Sequence, residues 1–355
     1  MNTMFCLVSR QAMANVIPVL MYKPNKVLLF ATPEEEKTAN HLEKLFLSKN
    51  INVSRVDKLN AYDYLQFKDS ILDEINKESA NPVLNVTGGT KLMALAAYEA
   101  FAEKDLNIIY CNTDRNQIIH LFPKLSTEKL NLNVSIDDYL QSYGYKVVSS
   151  RTKKVRKEYF ELFELIESKN LRRKFSEFLD SYRKATGSTN PVKTYNDKRN
   201  KLFSIQKTAS SVLLFVDKMK FIYEDEKFLK GDWLEYFMLY SLEKQNVKPE
   251  AGVKIVSDSN VENEIDIIFI KDYQLFLISC KSGKNTDPNK DIYEIETLRN
   301  IAGGTFGKAF LFTVQDLTDR IKQRAIDLRI ETMTFKNLNH KEFTLSQSLK
   351  GHNEN

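Results

Sequence analysis

Strand-like and helical segments alternate along the first third of the chain. The strand-like runs are Met4–Val8, Lys26–Thr32, Ile51–Asp57, Pro82–Thr87 and Asn107–Asn112, and the helical segments are Pro33–Lys49, Tyr62–Glu78 and Thr90–Glu103. Regular alternation of this kind predicts a parallel sheet that is covered by helices on both faces. Gln117–Phe122 is predicted to add a closing antiparallel strand. The N-terminal part is therefore expected to be an α/β domain.

Two short polar segments follow predicted strands of this sheet. Ser9-Arg10-Gln11 follows the first strand, and NVTGGTK (85–91) ends the fourth. In α/β sheets, ligands bind at the carboxyl ends of the strands. The two glycines allow the backbone to approach a ligand closely, and Thr90 can cap a helix whose N-terminus favours an anion. Lys91 adds a positive charge, so the segment is a candidate phosphate site, with a plain strand-to-helix turn as the alternative.

A second pattern lies near the C-terminus, where two strand-like runs are separated by a short polar turn. The runs are NEIDIIFI (263–270) and LFLISCKS (275–282), and the connection Lys271–Gln274 predicts a hairpin. Because side chains alternate along a strand, Glu264 and Asp266 share one face, and so do Ser279 and Lys281.

This face of the hairpin has the residue types of a metal-dependent phosphodiester hydrolase. Asp266 would hold Mg²⁺ or Mn²⁺, and the metal would lower the pKa of a bound water. Lys281, with Ser279 beside it, would orient that water or neutralise developing charge. The alternative is a structural hairpin with a solvated polar face.

A further candidate carboxylate lies upstream. Residues 227–244 are predicted to be a helix, and at helical spacing Glu235 falls in line with an apolar stripe formed by Met238, Leu239 and Leu242. A carboxylate among apolar side chains requires compensation of its charge, which a metal ion would supply. Alternatively, Glu235 lies at the edge of the stripe and reaches water or a lysine.

Composition limits the classes of protein that the chain can belong to. Its 355 residues are 42% hydrophobic and 28% charged, without an apolar stretch of membrane-spanning length or a signal-peptide pattern. We therefore expect a cytoplasmic protein with no membrane partner. Cys6, Cys111 and Cys280 are expected to be reduced thiols. The four histidines are scattered, so zinc chemistry and catalysis by a serine or cysteine nucleophile have little support.

The net charge of +5 is unevenly distributed. Residues 151–220 contain 18 lysines and arginines against 8 aspartates and glutamates, a local charge of +10. A basic region between nearly neutral ends is what contact with a nucleic-acid backbone requires. A charged, solvated helical connector would have the same composition.

The order of these residues resembles the PD-(D/E)XK nuclease superfamily. A helical acid, a strand aspartate and a short motif that ends in lysine correspond to Glu235, Asp266 and Ser279-Cys280-Lys281. The chain departs from the motif at Ser279, where an acidic residue is expected, so Glu264 or Glu235 would have to supply that carboxylate or the site is weakened. The resemblance implies that Glu235, Asp266 and Glu264 are metal ligands.

The N-terminal part resembles the CARF sensor, a CRISPR-associated Rossmann fold. The resemblance is based on LVSRQAMANVIPVL (7–20), FATPEEEKTA (30–39) and LNVTGGTKLMALAAYEAF (84–101), and GDWLEYF, NEID, SCKSG and ETLRNIAGGTFGKAFLF (296–312) resemble the nuclease half of CARF-linked effectors. It implies a homodimer activated by cyclic oligoadenylate, usually cyclic tetra-adenylate, made by type III CRISPR complexes. The implied ligand residues are Ser9, Gln11, Asn15, Thr32, Thr87, Gly88, Gly89, Thr90 and Lys91, although Asn15 and Thr32 could simply cap helices.

These patterns predict a sensor at 1–123, a bridge and basic helical connector at 124–225, a nuclease at 226–336 and a polar tail at 337–355. The bridge is expected to extend to about residue 150 and to contain a helix that begins at Ser135–Asp138, and the basic helical segment at 151–225 is expected to be broken near Gly187–Pro191. The first functional hypothesis is a metal-dependent nuclease in antiviral defence that cuts DNA, RNA or both when cyclic oligoadenylate occupies the sensor. The second is a sensor fused to an inactive nuclease fold that acts as a ligand-controlled binding or regulatory module. The third is a sensor that cleaves its own ligand.

Overall fold

The N-terminal sheet has the strand order β3-β2-β1-β4-β5-β6-β7 in the computed structural model, which describes residues 2–78, 81–150, 157–186, 193–196, 201–224, 226–283, 287–302, 307–336 and 338. Its strands are β1 (Thr3–Leu7), β2 (Lys26–Phe30), β3 (Asn52–Val56), β4 (Val83–Asn85), β5 (Ile108–Asn112), β6 (Gln117–Phe122) and β7 (Ser126–Lys129). The first five strands of that order pair in parallel, and β6 and β7 pair antiparallel. The predicted parallel sheet and its antiparallel closing strand are confirmed.

Helices cover both faces of this sheet. They are α1 (Met13–Tyr22), α2 (Glu36–Ser48), α3 (Tyr64–Lys77) and α4 (Lys91–Glu103). Phe67 and Ile71 of α3 and Phe101 of α4 pack with Phe5 and Phe30 of the sheet on one face. The helices α1 and α2 bury their apolar sides on the other face.

The bridge predicted at 124–150 contains regular structure. The helix α5 (Ile136–Ser142) begins at Ser135, whose hydroxyl accepts a hydrogen bond from the amide of Asp138 at 3.0 Å, so the predicted helix start is confirmed. The strand β8 (Tyr145–Ser150) then becomes an edge strand of the C-terminal sheet, where it pairs with β13 (Glu250–Ser257).

The segment predicted as a basic helical connector is only partly helical. Its helices are α6 (Lys157–Ser168) and α7 (Arg172–Thr186), and a four-stranded antiparallel sheet follows, made of β9 (Thr194–Asn196), β10 (Phe203–Lys207), β11 (Val212–Val216) and β12 (Met219–Tyr223). The helical prediction was wrong for these strands. Buried residues recur at every second position in β10 and β12, the period of a strand, and β11, which lies between them, is buried at four of its five positions. The predicted break near Gly187–Pro191 lies outside the described residues, and so does the tail at 337–355 apart from Leu338.

The C-terminal sheet has the order β17-β16-β15-β14-β13-β8. The remaining elements are α8 (Trp233–Glu243), β14 (Glu262–Lys271), β15 (Gln274–Lys281), α9 (Pro288–Ala302), β16 (Gly307–Thr313), α10 (Asp319–Asp327) and β17 (Ile330–Thr334). A single π-helical turn, Phe228–Asp232, precedes α8, so the helix predicted over 227–244 is present with an irregular first turn.

The predicted hairpin is confirmed as β14 and β15. Its ladder runs from the pair Ile267–Ile278 to the pair Lys271–Gln274. The two turn residues, Asp272 and Tyr273, have φ values of 49° and 62°, the left-handed conformation that two-residue hairpin turns use. No helix among the described residues is long and apolar enough to cross a membrane.

Candidate functional site

A cavity of about 740 Å³ lies at the carboxyl ends of the parallel strands of the N-terminal sheet. Its volume is within the range of about 300–1,000 Å³ that is typical of small-molecule sites. Six of the nine predicted ligand residues line it, namely Ser9, Gln11, Thr32, Thr87, Gly89 and Thr90. Asn15, Gly88 and Lys91 are not among its lining residues. The two polar segments found in the sequence therefore meet at one site.

The TGGT loop lies directly against the end of β1. A Cβ atom at Gly88 would be 2.2 Å from the carbonyl oxygen of Leu7, so only glycine allows this approach. Gly89 has a φ of 76°, a conformation that other residues rarely adopt. The two glycines thus allow the close packing and the backbone conformation of the loop, and the backbone of Gly89 also lines the cavity.

Asn15 stabilises the TGGT loop through a network of hydrogen bonds. It is fully buried, donates a hydrogen bond to the carbonyl of Leu7 at 2.8 Å and accepts one from the side chain of Asn85 at 2.9 Å. Asn85 in turn accepts a hydrogen bond from the hydroxyl of Thr87 at 2.6 Å, and that hydroxyl accepts one from the amide of Cys111 at 2.7 Å. This network fixes the loop to β1, β4 and β5, so Asn15 neither caps a helix nor reaches the cavity.

The first turn of α4 opens towards the cavity. The hydroxyl of Thr90 accepts a hydrogen bond from the amide of Met93 at 3.2 Å, which confirms the predicted cap. Lys91 follows with an exposed side chain. The positive end of the helix dipole therefore lies beside the cavity, and Lys91 directly follows the lining residue Thr90.

The charged side chains that line the cavity are mostly acidic. Glu34, Glu35 and Asp114 line it together with Arg10, which forms an ion pair with Glu35 at 3.6 Å. A hydrogen bond from Thr32 lowers the pKa of the Glu34 carboxyl. Most of the cavity's charged groups therefore accept hydrogen bonds, which suits a ligand with donor groups as well as phosphates.

A second, much smaller cleft of about 20 Å³ lies beside the hairpin, with Asp266, Ser279, Lys281 and Glu264 among its lining residues. The ladder between β14 and β15 stops just before Asp266. Oδ2 of Asp266 accepts hydrogen bonds from the amide of Cys280 at 2.7 Å and from the hydroxyl of Ser279 at 3.3 Å. The hairpin therefore brings Asp266, Ser279 and Lys281 together, as their spacing predicts.

Helix α9 supplies two carboxylates that the sequence patterns did not indicate. Nζ of Lys281 lies 3.6 Å from Oδ1 of the buried Asp291, and Glu294, one turn later, lines the same cleft as Asp266. Burial alone would lower the pKa of Lys281, but Asp266, Asp291 and Glu294 outweigh it and the net shift is upward. The lysine is therefore protonated near neutral pH.

The pKa of Asp266 is raised. Burial is the main cause, and the amide of Cys280 and the charge of Lys281 oppose it. Such a carboxylate gains from a cation, because a cation offsets the desolvation of its charged form. Of the two carboxylate oxygens of Asp266, only Oδ2 accepts hydrogen bonds from described residues. Oδ1 is therefore available to a metal.

The predicted metal ligands are less closely grouped than the motif suggests. Glu264 lines the cleft, whereas Glu235 lies half-buried in the first turn of α8 and is not a lining residue. Across the described parts of the chain, no three His, Cys, Asp or Glu side chains converge as a ready metal site. Mg²⁺ commonly uses one or two carboxylates plus water and substrate phosphate, so the cleft is compatible with such an ion. The set Glu235, Asp266 and Glu264 stays a prediction.

Comparison with known families assigns both halves of the chain. Residues 3–139 match the Card1 CARF domain, and residues 223–345 match the Card1-like endonuclease domain. A comparison with curated proteins finds no match.

Solved structures share the fold over the whole chain. Can2 from Sulfobacillus thermosulfidooxidans, solved in complex with cyclic tetra-adenylate, is 25% identical with a TM-score of 0.77, and the match covers 98% of this chain and 99% of Can2. Protein VC1899 from Vibrio cholerae is 16% identical with a TM-score of 0.75 and coverage of 98% and 97%. A type III CRISPR defence DNA nuclease activated by cyclic oligoadenylate is 19% identical with a TM-score of 0.56, and the match covers 88% of this chain and 45% of that nuclease. The chain is therefore a CARF-domain nuclease of the Card1 type, with a sensor domain and an endonuclease domain in one polypeptide.

Proposed function

We propose that this protein is a metal-dependent endonuclease that cyclic tetra-adenylate activates in type III CRISPR antiviral defence. The observation that carries the proposal is the pairing, in one chain, of the sensor cavity with the Asp266–Ser279–Lys281 cleft. The likeness to Can2 over nearly the whole of both chains supports cyclic tetra-adenylate as the ligand.

The sensor cavity suits one part of an anionic ring. The TGGT loop and the N-terminus of α4 offer backbone amides to a phosphate, and Lys91 adds a charge-assisted contact. A two-fold homodimer would place two such cavities around one pseudo-symmetric ring. The proposed ligand contacts are Ser9, Gln11, Thr32, Thr87, Gly89, Thr90 and Lys91, with Asn15 and Gly88 holding the loop in place.

In the nuclease cleft, Asp266 is the proposed principal ligand of a divalent cation, with Glu264 and Glu294 as flanking carboxylates. When bound, Mn²⁺ or Mg²⁺ would polarise a phosphate oxygen and lower the pKa of a water molecule. Lys281, held by Asp291, would place its positive charge against the developing charge of the scissile phosphate. The hydroxyl of Ser279 donates to Asp266 and orients it.

The substrate is DNA, RNA or both. The 20 Å³ cleft holds little more than a water molecule or an ion, so the nucleic acid has to lie across its mouth. The basic segment 151–220 is the proposed backbone contact.

Ser279 also favours a second candidate function. A hydroxyl fills the position at which the superfamily motif has a carboxylate, and it already donates to Asp266. A nuclease fold that had lost its activity would leave a ligand-controlled binding module. Metal binding and cleavage distinguish the two functions, because the nuclease requires both and the binding module requires neither.

Asp266→Asn removes the proposed metal ligand but keeps an oxygen that can accept from the amide of Cys280. We expect cleavage of plasmid and single-stranded nucleic acids with Mn²⁺ and cyclic tetra-adenylate to fall by about 100-fold or more, the scale associated with loss of a charge-stabilising group. Ligand affinity should not change. Asp319→Asn, at a fully exposed carboxylate, is the matched control. Normal cleavage by Asp266→Asn would contradict the assignment.

Glu294→Gln tests whether α9 supplies the carboxylate that is missing at Ser279. We expect the affinity of the protein for Mn²⁺, measured by calorimetry without nucleic acid, to weaken by about ten-fold or more. Glu296→Gln is the control, because Glu296 is on the same helix but does not line the cleft. Equal Mn²⁺ affinity in both variants would exclude Glu294 from the site.

Lys91→Ala should weaken cyclic tetra-adenylate binding by about three- to ten-fold, because one charge-assisted phosphate contact is lost. The loss should shrink at high ionic strength, since the side chain is exposed. Lys104→Ala, at the other end of α4, is the matched control. Excess ligand should restore full cleavage in Lys91→Ala. An affinity equal to that of the Lys104 variant would mean that the phosphate site lies elsewhere.

A further inference from the structure

One residue of the endonuclease domain lines the sensor cavity. Gln274 is the first residue of β15, within the range that matches the endonuclease domain, and it lines the cavity together with Ser9 and Thr87. No sequence pattern pointed to it. The hairpin that carries Ser279 and Lys281 therefore also forms part of the wall of the ligand site.

The side chain of Gln274 carries a buried hydrogen-bond acceptor without a partner. Only 9% of the residue is exposed, and no described residue donates a hydrogen bond to its Oε1. A buried acceptor without a donor is unfavourable, and buried polar groups in native proteins are nearly always hydrogen-bonded. Gln274 lines the cavity, but this oxygen is closed to water in the ligand-free structure, so a donor of the ligand would reach it after the side chain turns towards the cavity.

The residues next to Gln274 in the hairpin contact the sensor domain. The amide of Leu132 donates to the hydroxyl of Tyr273 at 3.5 Å, and the side chain of Asn116 donates to Asp272 at 3.5 Å. Leu275, the next residue of β15, is fully buried in the core that both domains share. Gln274 is therefore positioned by its backbone and not by a side-chain hydrogen bond to its oxygen.

We propose that Gln274 recognises an adenine base of the bound cyclic oligoadenylate, with its Oε1 accepting a hydrogen bond from the exocyclic amine. This inference rests on the proposed function of the sensor. Phosphate oxygens only accept hydrogen bonds at neutral pH, so they cannot pair with Oε1. The ligand's donors are the adenine amines and the ribose hydroxyls. The amine is favoured because a carboxamide can pair with both the amine and the adjacent ring nitrogen of adenine, as glutamine does in nucleic-acid recognition.

This contact would connect base recognition to the catalytic strand. Ser279 and Lys281 follow Gln274 by five and seven residues on the same strand, about 17 and 23 Å along it. Pairing with β14 holds β15 from Gln274 to Ile278, and pairing with β16 holds it from Leu275 to Lys281. A shift of Gln274 towards a bound base is therefore passed along a stiff element to the nuclease cleft.

The test uses the full-length protein and Gln274→Met, which is similar in volume and lacks the amide. We expect calorimetry to give an affinity for cyclic tetra-adenylate about ten-fold lower than that of the wild type. The ligand-free variant should melt at the same temperature or higher, because an unpaired buried acceptor has been removed. Gln323→Met, at an exposed position on α10, is the control and should bind like the wild type.

Two ligand analogues identify the atom that is recognised. The inosine analogue lacks the exocyclic amine, so the wild type should bind it more weakly than cyclic tetra-adenylate, and Gln274→Met should bind both equally. A 2′-O-methyl analogue lacks the hydroxyl donor, and we expect this change to alter the affinity of the wild type and of Gln274→Met by the same factor. If the variant kept the wild-type preference for adenine, or lost only its response to the 2′-hydroxyl, the assignment to adenine would be wrong. Failure of the wild type to bind cyclic tetra-adenylate would instead contradict the proposed function of the sensor.

Discussion

The two domains share one hydrophobic core, and the remaining features of the structure depend on it. The core joins Ile17 of α1 and Phe46 of α2 to Tyr139 of α5, and continues to Ile268 of β14 and Leu277 of β15. All five side chains are fully buried. Because packed interiors have few voids, a change on the sensor side cannot be absorbed locally and has to move neighbouring side chains. The sensor is thus packed on the nuclease sheet rather than tethered to it.

This packing gives allostery a physical route. A coupling free energy between two sites requires an element that both can bias, and β15 contributes Gln274 to one cavity and Lys281 to the other cleft. The hydrogen bond between Nε2 of His41 in α2 and Oδ2 of Asp258, 2.7 Å long, links the sensor to the turn between β13 and β14 as well. We propose that ligand binding across a dimer rotates the subunits and that these contacts carry the motion to the hairpin.

Local patterns in the sequence were enough for the elements that depend on local physics. Two strand-like runs and the short polar connection Lys271–Gln274 predicted the hairpin, and the residues around Thr90 predicted the capped start of α4. The four-stranded sheet that ends at Tyr223 was not predicted, because the high charge of residues 151–220 is equally typical of a solvated helical connector. The roles of Asn15, Gln274 and Glu294 could not be predicted, since each depends on contacts with residues that are distant in sequence.

The most direct test of the account is a linkage measurement. Calorimetry would give the affinity of the Asp266→Asn protein for cyclic tetra-adenylate, first alone and then with a saturating nucleic acid that the wild type cleaves. Since coupling in binding is reciprocal, the account predicts that the nucleic acid tightens ligand binding by about five-fold or more. Equal affinities in the two conditions would contradict it, because the sensor and the nuclease would then be uncoupled in binding.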